Sequence, residues 1–290
     1  NSSVIEPRAG MKLITGKNQF LSVGVGLHSQ IQPLGNYFAR IRVGLDSIQP
    51  NRNLDFSKAQ HYVVGYNIQF KQNWNFKIEA YYQSLYAIPV SASTKTSFSL
   101  INQEDNYVIA ALSNKGRGKN YGLEMTLERF WNDQFYFLST LSLYQSKYQA
   151  SDLIWRNTRF NSNSILSVTM GKEWNLHTKK TSTIALDLKV TNHGGVRVTP
   201  INLQQSILRK TTVLDNTRIY EERLPDIFRI DLQTQWKTQY KNRTGSFIAG
   251  VQNLTNRKNP VRQYYDAGIG GIKYNYLLGL IPVVGYKVDF

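Results

Sequence analysis

Apolar and polar residues alternate along most of this chain, a period of two that specifies half-buried β-strands. The final stretch shows it plainly. Between Gly279 and Phe290, the residues Leu280, Pro282, Val284, Tyr286, Val288 and Phe290 share one face, and Gly285, Lys287 and Asp289 lie on the other. The same reading places a first strand near Val4–Ile14, with Ile5, Ala9, Met11 and Leu13 opposite Glu6, Arg8, Gly10 and Lys12, and a second near Asn18–Ser29. A third, near Gln60–Lys71, sets Tyr62, Val64, Tyr66, Ile68 and Phe70 against His61, Gly65, Asn67 and Gln69. A fourth, near Asn75–Ala87, sets Phe76, Ile78, Ala80 and Tyr82 against Lys77, Glu79, Tyr81 and Gln83. The fifth opposes Tyr121, Leu123, Met125 and Leu127 to Gly122, Glu124, Thr126 and Glu128, and the sixth opposes Phe135, Phe137, Leu141 and Leu143 to Gln134, Thr140 and Ser142. Strands seven to ten follow near Arg159–Lys172, Ile184–Thr191, Phe228–Lys237 and Gly245–Leu254, so the terminal strand is the eleventh.

The connections between these strands alternate in length. Short ones are expected near 16–18, 72–74, 132–133, 173–180 and 240–245, and long ones near 30–57, 91–118, 149–158, 193–225 and 255–278. A soluble sandwich has no reason to sort its loops this way, whereas a membrane barrel has short turns at one rim and long loops at the other. Four of the five Trp, namely Trp74, Trp131, Trp174 and Trp236, fall beside the short turns, accompanied by Phe76, Phe130, Tyr136 and Tyr240. Amphipathic rings at one rim of a barrel form a girdle at the membrane interface, with the ring face in lipid and the N–H or O–H in water. The expected fold is therefore an all-β antiparallel transmembrane barrel, with the apolar faces turned to lipid.

Composition narrows the alternatives. The chain has 290 residues and no Cys, which removes disulfide frameworks and thiolate metal sites. No run of apolar residues reaches the length of a transmembrane helix, which leaves barrel strands untouched. The mean hydropathy is −0.39 and resembles that of a soluble protein, as a half-apolar strand repeat would. The formal charge of +16 is carried by Lys and Arg scattered singly over strands and loops, without a basic helix or a like-charge run, so nucleic acid is not an expected partner.

Eleven strands in a meander leave two terminal edges. An unpaired edge in hydrocarbon costs several kcal/mol per backbone group. Single-chain bacterial barrels have even strand counts, and plugged transporters have about 22. The whole chain, 1–290, is thus expected to be the C-terminal half of such a barrel, with the other half upstream or on another chain.

Several motifs bear on family. Glu6-Pro-Arg-Ala-Gly10 opens a strand, and Gln60-His61 precedes Gly65-Tyr66. Glu79 to Val90 reads EAYYQSLYAIPV, Asn120 to Glu124 reads NYGLE, and Gly194 to Pro200 reads GGVRVTP. Leu224 to Asp231 reads LPDIFRID, Gln252 to Pro260 reads QNLTNRKNP, and Gly279 to Phe290 closes the chain. In their order and spacing, these stretches resemble the C-terminal barrel region of TonB-dependent outer-membrane receptors of the Bacteroidetes type. The resemblance covers nearly the whole chain. It implies import of a specific solute, such as a glycan, a peptide or a metal chelate, across a Gram-negative outer membrane. It also implies a plug that couples to TonB, contact with outer-membrane lipid and lipopolysaccharide, a surface lipoprotein lid as a further partner, and a terminal Phe290 read by the barrel-assembly machinery.

On this reading, strand parity puts Lys77, Glu79, Tyr81, Glu124, Arg229 and Asp231 in the lumen, against plug or solute. The loops after strands two, four and eight gate the outer mouth, and Trp155 stacks on the ligand. No catalytic constellation is expected. His28, His61, His177 and His193 lack HxxxH or HExxH spacing, and no phosphate-cradling glycine motif precedes a helix. Neither a metal nor a cofactor is expected, and the chain reads as a non-enzyme. Two rival classes remain: a non-transporting barrel, adhesin or passive porin, and a soluble β-sandwich enzyme or lectin.

Overall fold

The computed structural model describes residues 3–71, 73–103, 107–177 and 181–290. Of the expectations above, those for Gln72 in the second short turn and for parts of the 91–118 and 173–180 connections lie outside the described residues.

Eleven long strands run in one antiparallel sheet: β1 (Arg8–Gly16), β2 (Gln19–Gln30), β3 (Ser57–Phe70), β4 (Trp74–Ser91), β5 (Leu112–Asn132), β6 (Phe135–Gln149), β7 (Ser164–His177), β8 (Thr181–His193), β9 (Ile227–Gln239), β10 (Thr244–Gln252) and β11 (Ile281–Asp289). Each pairs with its successor in chain order, and a short strand, Trp155–Asn157, adds to β6. Several boundaries differ from expectation. β1 starts at Arg8 rather than Val4. Pro7 still accepts from the Leu27 N–H at 2.9 Å but has no N–H to return. β5 begins at Leu112, several residues into the expected loop, on the far side of two register shifts opposite Leu85–Val90, where Ala87 sits at φ 54°. β7 begins at Ser164 rather than near Arg159 and runs on to His177, into the expected connection.

The register aligns the apolar faces across strands. Leu13, Leu21, Tyr66, Ile78, Met125, Leu141 and Leu166 form one continuous row. Among the described residues no second layer covers this face, and many of its side chains stay exposed. Val64 is 53% exposed and Val284 72% exposed, and Met11, Leu123, Leu186 and Phe247 are exposed as well. A sheet that leaves a full apolar face uncovered needs an apolar solvent on that side, since each Val or Leu withdrawn from water is worth about 1.5–3 kcal/mol.

The dry packing lies elsewhere. Val90, Tyr148 and Ala150 are buried at the long-loop end, with Ile101 and Tyr220 against them. The loops there dock onto strand ends through asparagine side chains that act as one-residue strands. Fully buried Asn51 donates to Ala110 O and accepts from the Leu112 N–H, both at 2.8 Å. Asn259 accepts from the Phe228 N–H at 2.9 Å and donates to Phe228 O at 3.0 Å. This matters because β10 pairs with β9 only from Leu232 onward. Beyond that point Leu254, donating to Ile230 O at 2.7 Å, and the Asn259 amide continue the ladder. The mouth also holds two short helices, α1 (Leu34–Tyr37) and α2 (Leu203–Arg209), the latter capped by Asn202 accepting from the Gln205 N–H. At Gly194 and Gly195 a Cβ would collide with the Ser162 and Leu224 carbonyls, so glycine permits the close docking of this loop.

Candidate functional site

The polar face of the sheet gathers the expected contact residues into two patches. In the first, β4 supplies Lys77, Glu79 and Tyr81, and β5 supplies Glu124. Glu79 stands opposite Gly65 on β3 and opposite Glu124 on β5. Gly65 leaves room for the Glu79 stem, which a Cβ at that position would meet at 3.1 Å. Lys77 Nζ lies 2.6 Å from Glu79 Oε2. Two carboxylates thus face each other across a strand pair with one ammonium beside them, an arrangement that repels within the sheet.

Glu79, Tyr81 and Glu124 line one open cavity of 530 Å³ together with His61, Asn120 and Tyr144. The rings of His28, His61 and Tyr81 follow each other edge to face, 5.9 and 6.4 Å apart. Asn120 Nδ2 donates to Gln83 Oε1 at 2.8 Å, while its Oδ1 is buried with no partner among the described residues. His61, Asn120 and Tyr144 are absent from the contact set drawn from the sequence, yet parity carries them, since each shares the face of Glu79 or Glu124.

The second patch lies beyond β6 and β7, on β8 and β9. Arg229 Nε donates to Asp231 Oδ1 at 2.5 Å, and Asp231 also accepts from the Asn253 N–H at 2.8 Å. Lys189 stands opposite Asp231 in the register. The Tyr136 hydroxyl donates to Asp187 Oδ1 at 2.7 Å, passing over Gly171, where a Cβ would clash with both. Asp187, Lys189, Asp231 and Tyr136 share a cavity of 390 Å³. Arg229 and Asp231 are thereby satisfied by each other and by the backbone, whereas Glu124 forms no ion pair among the described residues.

Trp155 lies apart from the polar-face residues. Lys119 Nζ lies 4.5 Å over its ring, and the unbroken β5–β6 register puts Lys119 on the apolar side with Leu123. The parity argument never applied to Trp155, because it belongs to a separate short strand that joins β6 after a loop. Of the girdle, Trp74 stacks on Phe70 at 6.3 Å, and Trp174 and Trp236 flank Ile184 on the apolar face. Trp131 departs from them. A bulge between Arg129 and Asn132 shifts the register, and its ring packs 6.1 Å from Tyr136, which is on the polar face. Tyr136 lies on that face by plain alternation with Phe135 and Phe137, opposite Gly171. Phe290, just past β11, is 98% exposed. No group of three or more His, Asp or Glu among the described residues is placed to hold a metal ion.

No family model matches the sequence, and no curated protein matches it. Solved structures do. The ferric yersiniabactin uptake receptor FyuA from Yersinia pestis aligns with a TM-score of 0.61 and 12% identity over 98% of this chain and 36% of that one. The ferric preacinetobactin receptor BauA from Acinetobacter baumannii gives 0.61 and 10% over 98% and 36%. The ferric-catecholate import receptor Fiu from E. coli gives 0.59 and 12% over 96% and 34%. The chain therefore spans about a third of the length of these receptors. At such identities the likeness is one of fold: an antiparallel sheet of eleven long strands matching the barrel part of outer-membrane receptors.

Proposed function

We propose that this chain is the C-terminal half of the barrel of a TonB-dependent outer-membrane receptor that imports a specific solute. The observation that carries the reading is the coincidence, on one eleven-strand meander, of an uncovered apolar face, a polar inner face and loops sorted by length. The fold likeness to import receptors supports it, and the motif resemblance adds the TonB coupling and the Bacteroidetes type. On this reading the apolar face meets lipid and lipopolysaccharide. The Glu79–Glu124 patch meets the plug or the passing solute. Phe290 belongs to the signal for barrel assembly, and a lipoprotein lid would sit over the long loops.

The test uses the complete gene product. Expected are fractionation with the outer membrane, extraction only by detergent, and solute uptake that collapses when TonB is deleted. Uptake that persists without TonB would point instead to a passive porin, and a product that stays in buffer without detergent would refute the membrane reading.

A further inference from the structure

A cavity of 610 Å³ lies at the long-loop end, between the 194–226 loop and the hairpin formed by Pro260–Asp266 and Gly271–Tyr276. Arg159, Arg197 and Arg262 line it, and no Asp or Glu does. Arg197 is held by three neutral acceptors. Its Nε donates to Asn161 O at 3.1 Å, its Nη1 to Glu221 O at 2.9 Å and its Nη2 to Asn163 Oδ1 at 2.9 Å. These bonds fix the guanidinium plane without neutralising it. Partial burial and, after it, the nearby Arg223 charge lower its pKa from the usual arginine value, the direction expected of a cation lacking a counter-ion. Arg262 is exposed and forms no ion pair among the described residues.

The surrounding carboxylates are committed elsewhere. Glu221 and Glu222 pair with Arg218 at 3.0 and 3.5 Å, and Asp266 pairs with Lys273 at 2.6 Å. Asp226 is 3.6 Å from Arg223 and also accepts from the Gly195 N–H, and Asp215 accepts from the Thr217 hydroxyl. The acids around the cavity are thus paired with residues outside it, while Arg197 and Arg262 on its wall keep open charge. Guanidinium groups match planar oxyanions by bidentate hydrogen bonding, which is why several together specify carboxylate or phosphate. The volume lies within the range of small-molecule sites.

We propose that this cavity binds a small solute bearing two or more oxyanion groups, clamped by Arg197 and Arg262, and that this is the class of solute the receptor takes up. The second half of that statement rests on the uptake reading, and the first does not. Citrate, inorganic phosphate, a neutral trisaccharide and trilysine serve as probes, titrated by calorimetry into the full-length receptor in detergent. Citrate is expected to bind, and more weakly as ionic strength rises. Arg262→Gln is expected to weaken it by about tenfold or more, the worth of a hydrogen bond to a charged group. Lys237→Gln, at the opposite end of the sheet, is expected to leave it unchanged. Because Arg197 also anchors the loop, Arg197→Gln is read only alongside amide exchange of residues 194–200. Binding of the trisaccharide or trilysine in preference to citrate would overturn the proposal, as would citrate binding indifferent to Arg262→Gln. A product that binds citrate through Arg262 yet lacks TonB-dependent uptake keeps the anion site and loses the uptake role. TonB-dependent uptake of a neutral solute does the reverse.

Discussion

Replacing Asn259 by Asp changes one nitrogen to oxygen at a site that is 1% exposed. The carboxylate still accepts from the Phe228 N–H, but the bond to Phe228 O is lost, and two oxygens now face each other. The lost bond is worth about 1 kcal/mol, and the stranded carbonyl with a buried, poorly compensated charge adds about 1–3 kcal/mol. The sum, roughly 2–4 kcal/mol, falls on the junction where the 253–259 segment replaces β10 as the partner of β9. Amide exchange is the direct assay. At neutral pH the Phe228 and Leu254 amides should exchange about thirty- to several-hundredfold faster, while those of Leu232 and Trp236 stay protected.

The pH dependence has a definite sign. The new carboxyl is buried beside a carbonyl, so its folded pKa lies above the unfolded one. The folded state then binds the proton more tightly, and stability is regained as pH falls through the raised pKa. Asn259→Ala loses both bonds and should show no such recovery. An Asn259→Asp variant whose Phe228 amide exchanges within about twofold of the wild-type rate would refute the idea that this amide acts as a piece of strand.

Four further outcomes are expected. Brominated lipids should quench Trp74, Trp174 and Trp236 in single-tryptophan variants but leave Trp131 fluorescent; equal quenching of all four would show that the bulge does not move Trp131 to the polar face. Glu124→Gln should stabilise the sheet by about 0.2–1 kcal/mol in thermal unfolding, since it removes a like charge opposite Glu79; destabilisation would contradict the repulsion. Gly171→Val should sever the Tyr136–Asp187 bond and lower stability by about 1–3 kcal/mol, whereas the open site Gly24 should accept alanine with little change. The bond donated by Lys58, and then that from the Phe56 N–H, lowers the Asp55 pKa. Asp55 therefore contributes stability above its unfolded pKa, about 3.9, and loses it as pH falls through the lower folded value, so the 49–57 segment should become protease-sensitive only in that acid window.

The strands were legible because a one-residue slip would reverse both faces, so each alternating run fixes its own orientation. That is why Phe70, Leu232 and Val284 fall on the apolar side and Glu79, Glu124 and Asp231 on the polar side, as parity requires. Parity fails where an extra residue enters, as at Trp131, and says nothing where a segment restarts, as at Trp155. The mouth was not legible at all. Asn51 reaches Ala110 and Leu112, and Arg197 and Arg262 line one cavity, across separations along the chain that no local pattern encodes. The glycine pair at Gly194 and Gly195 is the one local trace of that docking, since a Cβ at either would meet a carbonyl.

The buried cluster of Val90, Tyr148 and Ala150 sits with the loops, while the wall itself has no dry interior of its own. On the proposed reading, in which the apolar face meets lipid, two regions of one chain depend on different solvents. Detergent or lipid composition governs the wall, and ordinary aqueous variables such as temperature, urea and pH govern the entrance. Heating should therefore melt the entrance as an independent cooperative unit while the strand ladder persists, so a single melting temperature would describe neither part.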